Sequence, residues 1–278
     1  MANPCAYGQI KTKHPPKGSG EAVAMRTIAV VNQKGGSAKT TSSVNLAAAL
    51  AETGKRVLLL DLDPQANASS WLGVRDEGRG LFDVFTEGKP LLPLVTKSTA
   101  EGVDLVPSST WLVGVERALA SEVGAETVLR SAIAKLPARW DFLLVDGPPS
   151  LGFLAVAALV ACSEVLVPVE PSTMALEGLV SLLGTIDRVR DRLNPDLRVV
   201  GILPVRLDRT KLASEVVSGL RSKFGKEVFE TAIRENVRLR EAHSHKRPIT
   251  TYAGTSHGAE DYRAAAEELV RRGKKRGR

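Results

Sequence analysis

The chain has 278 residues, enough for one large domain, and its 43% hydrophobic content can fill a core built from Ala, Val and Leu, since only 4% is aromatic. Two distant cysteines, Cys5 and Cys162, suit a reducing compartment and exclude a disulfide framework or a four-cysteine metal site. Nothing approaches the roughly 18 uninterrupted apolar residues of a membrane span, and residues 1–24 lack the apolar stretch of a signal peptide, so they are expected to be disordered.

Strand-like and helix-like runs alternate along the chain. Thr27–Val31 is an apolar strand-like run, followed by a helical stretch over Thr41–Thr53. Val57–Leu60 and Val103–Val106 are the next strand-like runs, and helices are expected over Thr110–Glu122 and Glu126–Leu136. Phe142–Val145, a helix at Leu151–Ala161 and Val165–Val169 continue the alternation. Ala175–Leu193 is a long helix stopped by Asn194-Pro195. Val199–Leu203 is the last apolar run, with helices at Leu212–Phe224 and Ala259–Arg272. Such alternation predicts an α/β fold, a doubly wound, mostly parallel sheet with helices on both faces. Near-continuous apolar strands are expected where both sheet faces are covered.

Between the first strand and the first helix lies Asn32-Gln33-Lys34-Gly35-Gly36-Ser37-Ala38-Lys39-Thr40-Thr41. A strand, a glycine turn, Lys-Thr and a helix are the context of a phosphate-binding loop. Glycines let the backbone turn its N–H groups onto a polyphosphate, and the helix N-terminus adds partial positive charge. Lys39 is expected to reach the outer phosphates and Thr40 to ligate Mg²⁺. Gln33 and Ala38 stand where the general pattern has glycines. Ala38 is expected to keep negative φ, because an alanine at positive φ costs roughly 1–2 kcal/mol.

Two further runs carry carboxylates at strand ends, where doubly wound sheets bind ligands. The first is Asp61-Leu62-Asp63-Pro64-Gln65-Ala66-Asn67, with Pro64 expected to end the strand and turn Asp63 towards the site. The second is Asp141 to Ser150, four apolar residues, then Asp146-Gly147-Pro148-Pro149-Ser150, with Asp146 expected to hold Mg²⁺ beside Thr40.

Taken together, Lys34-Gly35-Gly36-Ser37-Ala38-Lys39-Thr40, the D-x-D-P-Q-x-N run and D-x-P-P-S resemble the ordered motifs of the ParA/MinD ATPases, in particular the short ParA-type partition ATPases. The resemblance covers residues 26–270, between a 1–24 extension and a basic tail at 271–278. It implies ATP and Mg²⁺ as ligands, held by Lys34, Gly35, Gly36, Ser37, Ala38, Lys39, Thr40, Thr41, Asp61 and Asn67, with Asp61 in the network around the metal. It implies that Asp63 positions the attacking water and that Lys34 reaches across an ATP-dependent homodimer. The implied partners are non-specific double-stranded DNA and a ParB-type protein that stimulates hydrolysis, and the implied location is the cytoplasm, on the nucleoid.

Charge is unevenly placed: residues 25–197 carry a net −4, residues 198–247 a net +6 and the last eight residues +6, of a total +7. An anionic polymer fits the two basic segments. Gly201–Thr210 and Ile233–Ala242 resemble the family segments that flank the base and present arginines to DNA, the second read as a loop. Arg209 and Arg238 match those patterns, with Lys211, Arg240 and the tail as auxiliaries, while Arg234-Glu235 departs from the usual Pro-Arg. Two rivals stand beside this reading. A MinD-like membrane ATPase needs bulky apolar anchors on a C-terminal amphipathic helix, which are scarce here. An iron–sulfur reductase needs cysteines at a dimer axis, for which Cys162 alone is insufficient.

Overall fold

The computed structural model describes residues 25–172 and 175–274. The expected disordered extension at 1–24 and the end of the basic tail lie outside the described residues. Seven strands form one sheet: β1 (Arg26–Val30), β2 (Val57–Asp61), β3 (Thr96–Lys97), β4 (Val103–Val106), β5 (Phe142–Asp146), β6 (Glu164–Val169) and β7 (Arg198–Pro204). Their order is β3-β4-β2-β5-β1-β6-β7, and every pairing is parallel except β3 with β4. The two-residue strand β3 carries no apolar alternation and is not legible in the sequence.

Side chains alternate across the sheet, as a period of two requires. Ile28, Val30, Val57 and Leu59 enter one core layer, while Ala29, Val31, Leu58 and Leu60 enter the other. Eleven helices among the described residues cover the two faces: α1 (Lys39–Glu52), α2 (Asn67–Trp71), α3 (Gly80–Glu87), α4 (Val115–Ala118), α5 (Val128–Ala134), α6 (Phe153–Ala161), α7 (Ala175–Arg192), α8 (Lys211–Phe224), α9 (Val237–Ser244), α10 (Ile249–Tyr252) and α11 (His257–Lys274). α3, α5, α6 and α7 fill one face. On the other, α1 lies under α11, whose Ala259, Tyr262, Ala265, Ala266 and Leu269 are fully buried. Burying a leucine such as Leu269 is worth about 2 kcal/mol. The apolar stripe of α11 is thereby used within the core, and no described helix is long and apolar enough to cross a membrane.

The helix expected over Thr110–Glu122 is instead a 3-10 turn, Thr110–Gly114, followed by the short α4. Leu112 and Val115, three apart, are buried, while Trp111 and Val113 are exposed. The Leu112–Val115 spacing suits a 3-10 turn, and the third buried residue, Leu119, comes just after α4 ends. The segment read as a loop over Ile233–Ala242 contains α9, with the Asn236 side chain accepting a bond from the Arg238 N–H at its start.

Register sets up the site. Along the C-terminal edge, Asp61 of β2 pairs with Asp146 of β5, and Asp146 pairs with Val30 of β1. The two carboxylates thus emerge beside the loop that leaves β1.

Candidate functional site: a phosphate loop with three aspartates

The loop is anchored at its entry. The Asn32 amide donates to the Pro168 carbonyl at 2.6 Å, and its Oδ1 accepts from the Lys34 N–H at 3.0 Å. Gly35 and Gly36 are exposed, with no atom within 4 Å of where a Cβ would stand, so the space above them is open. Gly36 adopts φ +75°. Ala38 adopts φ 58°, contrary to the negative φ expected from its side chain. The reason lies in the placement of α1, which packs between sheet and α11 and begins at Lys39: a left-handed residue before it makes the concavity of the loop. The strain costs about 1–2 kcal/mol, offset by packing of α1 between sheet and α11. Ser37 is buried, and its Oγ has no hydrogen-bond partner. An orphaned buried hydroxyl beside unpaired first-turn N–H groups fits a phosphate ligand.

Lys39 is only 6% exposed. Burial lowers its pKa, opposed by the charges of Asp146 and Asp63. The Thr40 hydroxyl donates to Asp146 Oδ2 at 2.8 Å, and the Ser43 hydroxyl donates to Asp146 Oδ1 at 2.8 Å. Asp61 accepts from the Ser69 N–H and hydroxyl at 2.8 and 2.6 Å, and its other oxygen accepts from the Asp63 N–H at 3.2 Å. Asp63 is buried and caps its own turn, accepting from the Gln65 N–H at 3.0 Å. Ser43 and Ser69 escaped the sequence reading because serines within a helix carry no spacing pattern; only the fold aims them at the carboxylates.

Among the described residues no three His, Cys, Asp or Glu side chains form a metal cage of their own. That suits Mg²⁺, which takes one or two carboxylates and completes its shell with phosphate oxygens and water. Thr40 and Asp146 are hydrogen-bonded to each other, Asp61 lies beside Asp146 in register, and Lys39 senses both Asp146 and Asp63. Lys34 stands apart, 53% exposed, its Nζ 4.0 Å from Glu170. Asn67 is exposed at the start of α2.

Beside the loop opens a cleft of about 450 Å³ lined by Ala38, Thr41, Asp208, Asn236, Arg240 and Tyr262 among others. Asp208 accepts from the Thr210 hydroxyl and N–H, which hold its carboxyl below the usual range. Its rim comes from the two late segments that the sequence reading placed around the base.

Electrostatics make the aspartate cluster strained without a cation. Burial and the neighbouring Asp61 push Asp146 up to about 7, against the pull of Thr40 and Ser43. Burial pushes Asp61 up to about 6, against its bonds from Ser69. Both lie above their values in an unfolded chain. They therefore contribute stability that is complete at acid pH, below the ordinary carboxylate range, and lost as pH rises through 6 to 7. Asp146→Asn is expected to raise the melting temperature of the nucleotide-free protein at pH 8 by a few degrees, on the order of 2 kcal/mol, and to flatten its decline with pH. Calorimetry in a metal chelator checks this, and an unchanged melting temperature would refute the electrostatic account.

A family model described as an AAA domain matches residues 25–199. The chain is 41% identical over 251 residues to the sporulation initiation inhibitor protein Soj of Bacillus subtilis, covering 89% of this chain and 99% of that one. It is 49% identical over 249 residues to the chromosome-partitioning ATPase Soj of Thermus thermophilus, covering 89% and 96%. The chain belongs to the Soj/ParA family of chromosome-partitioning ATPases. A solved structure described as cobyrinic acid a,c-diamide synthase from Mycobacterium smegmatis, with bound ATP analog and magnesium, superposes with TM-score 0.79 at 34% identity, covering 92% of this chain and 98% of that one.

Within this Soj/ParA chain the late basic segment is divided by the fold. Arg198 is paired with buried Glu164 at the N-terminal edge of the sheet, opposite the phosphate loop. Arg234 is locked in a two-pronged pair with Asp261, its Nη2 2.6 Å from Oδ1. Arg238 pairs with Glu241 on its own helix at 2.8 Å. Arg209, Lys211 and Arg240 are exposed, and Arg209 and Lys211 lead into α8. Cys162 is buried in the core, and burial raises its thiol pKa, which leaves it unsuited to a shared cluster.

Proposed function

We propose that this chain is a DNA-partition ATPase whose catalytic domain spans residues 25–270 and whose ATP-bound form is a homodimer. The observation that carries the reading is the convergence of Lys39, the Thr40–Asp146 pair and Asp63 at the open phosphate loop. Gly35, Gly36, Ser37, Ala38 and Thr41 cradle the phosphates with N–H groups and the Ser37 hydroxyl. Lys39 holds the outer phosphates. Thr40, with Asp146 and Asp61, holds Mg²⁺, which neutralises phosphate charge during transfer. Asp63 accepts a hydrogen bond from the attacking water. Lys34 serves the partner protomer's ATP, and Asn67 completes the nucleotide contacts.

DNA is bound through its phosphates by Arg209, Lys211, Arg238 and Arg240, with the basic tail as an auxiliary, and a ParB-type protein triggers hydrolysis and release. The protein works in the cytoplasm on the nucleoid. Dimerisation doubles the cationic surface, which explains ATP control of affinity.

Mobility shifts with Mg-ATP at several salt concentrations test this. Replacing Arg209 and Arg238 together with Ala is expected to weaken binding to every duplex alike. The slope of log affinity on log salt should fall by roughly 3–4, for four arginines lost per dimer. ATP-dependent dimerisation should survive. If the pair changes nothing and deletion of residues 271–278 abolishes binding, the folded patch is not the DNA site.

A further inference from the structure

The end of β4 reaches into the aspartate turn through a residue that no motif marks. Ser108 follows β4 by two residues and is 1% exposed. Its hydroxyl donates to the main-chain carbonyl of Asp63 at 2.6 Å, a short and well-formed bond. Its N–H donates to Ser69 Oγ at 2.9 Å, and that hydroxyl passes the chain on to Asp61 Oδ2 at 2.6 Å. One residue just beyond a neighbouring strand thus grips both ends of the Asp61–Asp63 segment, directly at Asp63 and through Ser69 at Asp61.

The turn requires an outside hold. β2 ends at Asp61, and Pro64 brings no N–H. Ala66 takes φ 52°, a left-handed conformation costing about 1–2 kcal/mol for alanine. The Asp63 carbonyl accepts one bond from within the turn, from the Ala66 N–H at 2.8 Å. Ser108 supplies the second, from the segment that directly follows β4, a strand hydrogen-bonded to β2 in fixed register. The Leu62 N–H donates to the Asp146 carbonyl of β5 at 3.0 Å, so the sheet already holds the residue before Asp63, and Ser108 extends that hold to Asp63 itself.

We propose that Ser108 is a positioning residue for ATP hydrolysis: by pinning the Asp63 main chain to the end of β4, it holds the Asp63 carboxylate where the attacking water must be oriented. The inference rests on the water-orienting role given to Asp63 above. Ser108 touches no substrate and acts only through Asp63 and Ser69. Its loss therefore leaves the phosphate loop, Lys39 and Thr40 intact. The Asp63 carbonyl also keeps its bond from Ala66, so the fold is not left with a wholly unpaired buried acceptor.

The test is single-turnover phosphate release from the full chain at saturating Mg-ATP, with ATP affinity measured alongside by calorimetry. Ser108→Ala, and Ser108→Cys, which keeps the shape but replaces a strong donor by a weak one, should bind ATP within about twofold of the parent. Their rate of hydrolysis should fall about 10- to 100-fold, as expected for a sub-ångström to ångström misplacement of a reacting group. Ser108→Thr, which keeps the hydroxyl, should restore most of the rate. Combining Ser108→Ala with Asp63→Ala should cost nothing beyond Asp63→Ala alone, because both act on one step. A general folding defect would instead lower affinity and rate together and would overturn the proposal. Normal hydrolysis by Ser108→Ala beside an inactive Asp63→Ala would overturn it while leaving the role of Asp63 standing. Normal hydrolysis by Asp63→Ala would remove that role, and the proposal with it.

Discussion

Lys39→Ala is expected to lower ATP affinity at least about 100-fold, to the edge of detection by calorimetry. The ammonium is nearly buried at the first turn of α1, and the desolvation that lowers its pKa is the same condition that strengthens a charge–phosphate contact. A charge-assisted hydrogen bond in such a site is worth about 1.5–3 kcal/mol, and about 1.4 kcal/mol is tenfold in affinity. The loss should exceed that of one bond, because Asp146 and Asp63 then face the incoming phosphates without the cation that shares their field. Lys39→Arg should not rescue, since a planar guanidinium does not fit a point-charge position beside a tight loop. Unchanged affinity of Lys39→Ala would remove this loop from nucleotide binding.

Lys34→Ala is expected to bind ATP and remain a monomer. Lys34 is exposed, its main chain is tied back by Asn32, and its Nζ lies 4.0 Å from Glu170. That exposure is what the proposed contact with a second molecule requires. Two nucleotides facing each other bring about eight negative charges to one interface, a repulsion that Mg²⁺ and extra lysines must offset. Light scattering with Mg-ATP should show the parent as a dimer and the variant as a monomer, with ATP affinity of the monomer within a few-fold. A variant that dimerises normally would contradict the trans role.

Both lysines stand in one contiguous run: the phosphate-loop spacing singles out Lys39, and resemblance to the ParA/MinD loop singles out Lys34. A phosphate loop needs glycines, Lys and Thr at fixed spacing between a strand and a helix, so its chemistry is written in contiguous residues. The strands were legible too: Val57–Leu60 and Phe142–Val145 are apolar throughout because both sheet faces are covered, and the observed strands extend each by one residue to the buried aspartates Asp61 and Asp146. Membership of the Soj/ParA family followed from the order of these runs.

What the linear pattern misjudged had to be decided in three dimensions. The alanine at 38 argued locally for negative φ, yet the packing of α1 against sheet and α11 holds it left-handed. The stretch after Thr110 is rich in helix formers, but Trp111 and Val113 stay exposed, and the chain makes a 3-10 turn and the short α4 as Leu112, Val115 and Leu119 enter the core. The late basic segment reads as one patch by composition. In the fold Arg198 serves Glu164 at one edge of the sheet, Arg234 serves Asp261 on α11, and Arg209 is left exposed before α8. Ser69 and Ser108 come from separate elements and meet at Asp61 and Asp63 only because β4 pairs with β2 in register. Contiguous chemistry was determined by the sequence itself, since its residues are neighbours under any packing. Partnerships across elements were decided by the tertiary structure, because a hydrogen bond or ion pair between distant residues depends on which strands pair and which helix faces the sheet.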